Sequence, residues 1–127
     1  MKISLSTTAD IVIVHPATGE DLINENGKPI TVTVFGSQSD EFKKAKNKAL
    51  NKRMMNVGKK TTAETAEADG IDLLVACTKS FNNFAKVEFS NGVVDVKDFK
   101  KAYTDDSWFK DQVDAGIANN ALFMPAS

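Results

Sequence analysis

The period of the apolar residues changes at Gly36, and that change limits the folds open to the chain. Before it, Ile11, Val12, Ile13 and Val14 form a β-branched run, and residues 30–34 alternate apolar with polar at the two-residue strand period. After it, apolar residues mostly recur at spacings of three and four, the mark of helices with one buried face. The pattern predicts an α+β domain: a small antiparallel sheet within residues 1–36, packed against about four helices drawn from 37–127. With 127 residues, 42% of them hydrophobic, the chain suffices for one core and is short for two, so a single domain is expected.

Between the two strands, Thr18-Gly19 and Asn26-Gly27 supply turn residues that tolerate positive φ, so the connection reads as a long punctuated loop. Ser37-Gln38-Ser39-Asp40 matches a helix-capping pattern. The helix after it has a thin apolar face of Phe42, Ala45, Ala49 and Leu50, and Gly58 is its expected terminator, before a polar connection over 59–62. A second helix is expected over about 63–78, acidic at its start and apolar nearly all round at its end, with Gly70 as a weak point. The stretch 81–84 breaks that pattern, and 87–94 reads as a short strand-turn unit around Gly92. Asp95 is placed to cap a short helix through Phe99, Ala102 and Tyr103, with Asp98 in its first turn. A last helix from about Asp106 carries Phe109, Val113 and Ile117 at four-residue steps, and Phe123 and Met124 form an apolar tail.

Catalytic chemistry finds little footing. His15 is the only histidine and Cys77 the only cysteine, so neither a proton relay of histidines nor a zinc cluster can be assembled from them. Cys77 lies in the apolar run 71–77 and is expected to be a small buried hydrophobe. Phosphate-loop and nucleophile-elbow patterns are missing as well. The sequence therefore reads as non-enzymatic and without cofactor or metal. No apolar segment approaches the ~20 residues that span a bilayer, and no secretion signal is seen at the N-terminus.

The strongest local signal is basic: eight Lys or Arg against one Glu within 41–60, in a chain whose net charge is −1. No aromatic residues interleave with these cations to stack on bases, which argues against nucleic acid. A solvated helix face and a docking face for an acidic protein both fit the run.

The order of these parts is similar to that of the tail assembly chaperones of long-tailed bacteriophages. The resemblance lies in residues 72–78, Phe81-Asn82-Asn83, Ser90-Asn91-Gly92, a capped helix ending Lys101-Ala102-Tyr103, and the closing segments 108–113 and 120–123. In the N-terminal half it lies in His15-Pro16-Ala17-Thr18-Gly19 and in residues 36–42 opening a Lys-rich helix. These are caps, turns and apolar positions, whose order covers most of the chain. The resemblance implies a protein that works in the host cytoplasm, keeps the tape measure protein soluble during tail assembly, and is absent from the mature virion. Its further candidate partners are the major tail tube protein and other copies of itself; membranes and nucleic acid are not expected. In such families a longer product often arises by translational frameshift. Lys43, Lys46 and Arg53 would supply charge complementarity, and Trp108, Phe109, Val113, Ile117 and Phe123 apolar contact. Completion of the chain's own core is the competing use of the C-terminal stripe. Two other functions stay open: a structural tail or head-to-tail joining protein, and a small nucleic-acid-binding accessory protein.

Overall fold

A computed structural model of the chain describes residues 6–36, 39–55, 63–89 and 92–123. Strands β1 (Thr8–Val12), β2 (Thr31–Phe35) and β3 (Thr78–Asn82) form an antiparallel sheet in that order. Helix α1 (Asp40–Met55) and helix α2 (Ala63–Ala76) stand between β2 and β3 in sequence. A two-residue hairpin, β4 (Glu88–Phe89) and β5 (Gly92–Val93), follows, then α3 (Phe99–Asp105), α4 (Ser107–Ala118) and a closing 3₁₀ turn, η1 (Asn120–Phe123). The architecture is α+β, as the periodicity predicts.

Burial along β2 alternates as its sequence does: Val32 and Val34 are fully buried, while Thr31, Thr33 and Phe35 are half-buried. Ile11 and Ile13 join them beneath α4. Gly116 makes that contact possible, because a Cβ there would stand 2.6 Å from Ile11 Cγ1. Gly36 has a matching role, since its Cβ would stand 2.7 Å from the ring of Phe123, buried against it.

The third strand corrects the expected boundary between a β-rich 1–36 and a helical 37–127. Residues 78–82, placed at the end of α2 and in a break after it, instead return to the sheet and pair with β2, with a bulge between Thr33 and Val34. Polar side chains support this strand: Asn82 Nδ2 donates to Thr31 Oγ1 (3.1 Å) and Thr33 Oγ1 (2.8 Å). Helix α2 continues unbroken through Gly70.

Caps sit close to where the sequence places them. Ser39 is buried; its hydroxyl donates to Gly36 O at 2.6 Å and accepts from Phe42 N–H at 3.0 Å, satisfying one free donor of α1. The cap of α3 is Asp98, which accepts from Lys101 N–H, whereas Asp95 closes the preceding turn on Lys97 N–H. Ser37, Gly58 and residues 59–62 lie outside the described residues.

Phe109 is the hub of the core. The rings of Phe81, Phe84, Phe89, Tyr103 and Trp108 surround it at centroid distances of 5.3–6.0 Å. The Thr78 hydroxyl donates to Leu74 O at 2.8 Å, so its 2.6 Å contact with Tyr103 is completed by the Tyr103 hydroxyl as donor. Burial pushes the Tyr103 hydroxyl pKa above its ordinary value, and desolvation raises the Cys77 thiol to about 11. Cys77 is thus a buried, protonated thiol, the role its apolar context predicts.

Candidate functional site

Two turns and one helix build a groove of about 480 Å3 on the surface of the core. The first wall is the long connection between β1 and β2, folded back on itself through the bridges Val14 to Asp21 and Ile23 to Pro29. His15 organises its tip: Nδ1 accepts from Ala17 N–H (3.1 Å) and Thr18 N–H (3.2 Å), while its backbone closes on Glu20 O and Gly19 N–H. These bonds give His15 a local structural role in the turn. Asn24 does the same for the second bend, its Oδ1 accepting from Asn26 N–H (2.9 Å) and Lys28 N–H (3.0 Å), with Gly27 at φ 76°. The result is that Ile23 stands on the lip of the groove, 61% exposed.

The second wall is the turn at 84–87 together with Glu88 of β4. Asn83, at φ 64°, ties it to the first wall by donating from Nδ2 to Pro29 O at 3.0 Å. The lining is completed by Phe89 and Trp108, whose rings meet edge to face at 4.8 Å. Helix α4 is locked to the first wall by Gln112, which accepts from Val14 N–H (2.9 Å) and donates to Val14 O (2.8 Å). Gln112 lies four residues after Trp108, on the same helix face. Among the described residues, the charged groups lining the groove are Glu25, Lys86 and Glu88.

Of the residues expected to meet a partner, the structure brings only Trp108 to this groove. Phe109, Val113, Ile117 and Phe123 are buried, and this corrects their assignment as a binding stripe. They cover the sheet from the side of α4 and η1, and exposing them would open the core. Lys43 and Lys46 are exposed on α1, far along the chain from the groove residues. The side chain of Arg53 and residue Met124 lie outside the described residues.

Helix α1 offers a different surface. Positions 43, 46, 50 and 54 fall on one flank by their three- and four-residue spacing. Leu50 and Met54 there are 56% and 66% exposed, beside the two lysines. Lys44 and Lys48 occupy another flank, so these four described lysines divide between two flanks.

The residues that sequence reasoning missed are Ile23, Lys86, Phe89 and Gln112. Phe89 carried a signal, being a large apolar residue beside a two-residue turn, but nothing local marks Gln112 as a partner of a backbone 98 residues away. Among the described residues no helix is long and apolar enough to cross a membrane, and no three His, Cys, Asp or Glu side chains converge as a metal site. Comparisons with protein-family models, curated proteins and solved structures gave no match.

Proposed function

We propose that the chain is a non-enzymatic assembly chaperone that binds the tape measure protein of a long-tailed phage and keeps it soluble until the tail tube encloses it. One observation carries the reading on the side of the structure: a half-buried tryptophan and an exposed isoleucine line the same groove, where apolar side chains stand beside charged ones. Tryptophan in such a setting supplies large contact area at little cost in side-chain entropy. The sequence resemblance supplies the identity of the partner. A tape measure protein is a long helix whose apolar stripes are uncovered before assembly, and an apolar groove accepts one such side chain at a time. Weak binding repeated along the partner gives avidity while leaving each copy displaceable.

A nucleic-acid role is less well supported. Among the described residues of α1, Lys43 and Lys46 lie on one flank and Lys44 and Lys48 on another, and the first flank runs on into Leu50 and Met54, which offer nothing to a phosphate. Co-expression with the tape measure protein encoded in the same phage tests the proposal. The expected result is a soluble partner that co-purifies with this chain, and loss of the complex on Ile23→Glu. An insoluble partner, together with this chain in purified virions, would replace the chaperone reading with a structural tail protein.

A further inference from the structure

Lys86 sits at a turn position that its backbone disfavours. Residues 84–87 form a turn closed by Val87 N–H donating to Phe84 O at 3.0 Å, with Lys86 as its third residue at φ 61°. That conformation selects glycine or asparagine, because an L side chain crowds the backbone there. Asn83, also left-handed, recovers a hydrogen bond to Pro29 from its position. Lys86 recovers nothing comparable: among the described residues its ammonium has neither an ion pair nor a hydrogen bond, and it lines the groove beside the apolar lining of Phe89 and Trp108. Backbone strain retained at a binding surface, with no intramolecular return, points to an intermolecular one.

We propose that Lys86 is a partner-contacting residue: it takes a carboxylate that the partner helix presents about one turn from the apolar side chain filling the groove. The inference rests on the groove being the partner site. Among the described residues, Glu25 and Glu88 also line the groove without ion pairs, so its charged lining carries both signs. An apolar anchor alone would fit with the partner helix running in either direction. Lys86 and Glu88 share the second wall and Glu25 stands on the first, so a partner carboxylate is matched at Lys86 and opposed at the glutamates, and the groove reads charge as well as hydrophobicity.

The test is co-purification of the co-expressed tape measure protein with the wild-type chain and with Lys86→Gly, Lys86→Arg, Lys86→Glu and Ile23→Glu, alongside the melting temperature of each. Lys86→Gly is expected to raise the melting temperature, because the turn is relieved, while lowering partner affinity about tenfold, the scale of one lost charge-assisted contact. Lys86→Arg should retain the partner, Lys86→Glu should lose more than the glycine variant, and the wild-type advantage should shrink in high salt. If Lys86→Gly keeps the partner while Ile23→Glu loses it, the groove is the site and Lys86 is only a turn residue. If Lys86→Glu binds more tightly, the partner offers a base there and the inference is overturned. If every variant keeps the partner, the groove reading fails and this inference falls with it.

Discussion

Helices α4 and α1 carry apolar residues at the same helical spacing, yet they end in opposite surroundings. In α4, Phe109, Val113 and Ile117 are buried and Gly116 lets the helix close onto Ile11. In α1, Phe42, Ala45 and Ala49 are only half-buried, Leu50 and Met54 face outward, and a groove of about 490 Å3 remains between α1 and α2, lined by Ala45, Ala49, Leu73 and Ala76 together with the charged Lys48, Asp69 and Asp72. Spacing alone says that a helix has an apolar face. Side-chain volume decides what that face does: burying a Phe, Val or Ile contributes about 1.5–3 kcal/mol each, and alanines contribute far less. The α4 stripe is used by the fold, whereas Leu50 and Met54 of α1 stay exposed.

The largest expected effect is at the hub of the aromatic cluster. Phe109→Ala should cost about 3–5 kcal/mol in denaturant unfolding, since the neighbouring rings cannot all close the cavity; a loss below about 1 kcal/mol would break the contrast at its stronger end. Two glycine substitutions in helices should next differ in sign. Gly116→Ala forces a Cβ into Ile11 and should destabilise by about 1–3 kcal/mol. Gly70→Ala in α2 meets nothing within 4 Å and should stabilise by about 0.5–1 kcal/mol, readable as a higher urea midpoint. The smallest effect belongs to the flank of α1. Replacing Leu50 and Met54 together by glutamine should shift stability by less than about 0.5 kcal/mol, and a larger loss would show that this flank is covered by the chain itself. Hydrogen exchange would sharpen the same contrast, with α1 amides expected to open at lower free energy than those of α4.

The paired strands β1 and β2 and the four-residue stripe of α4 were legible because each is written in local chemistry, β-branched residues and apolar periodicity, whereas the Ser-x-x-Asp pattern pointed to Ser37 and the structure caps α1 with Ser39, two residues later. Strand β3 was not. Its residues, Thr78-Lys79-Ser80-Phe81-Asn82, include a single large apolar side chain, and the strand is stabilised by hydrogen bonds from Asn82 to threonines about 50 residues earlier. The candidate site was legible at Trp108 alone. Reading Phe109, Val113, Ile117 and Phe123 as a partner surface failed because a stripe that suits a partner suits the domain's own sheet equally well, and only the packing tells them apart. Lys86 gave no signal, since a left-handed lysine looks in sequence like any other lysine.

The contact between the two ends of the described fold has a consequence for how the protein is made. Ser6 N–H donates to Phe123 O, Gly36 packs on the Phe123 ring, and Gln112 clamps Val14. Strand β1 is synthesised early, and α4 and η1, the elements that cover it, leave the ribosome long after it. The nascent chain must therefore hold an incomplete sheet, with Val32 and Val34 uncovered, while it is extended from Val34 to the end of η1 at Phe123. Contacts this distant in sequence form late and slow the final step. Until α4 and η1 have emerged and docked, a protein proposed to shelter the apolar surface of another is itself a chain in need of shelter.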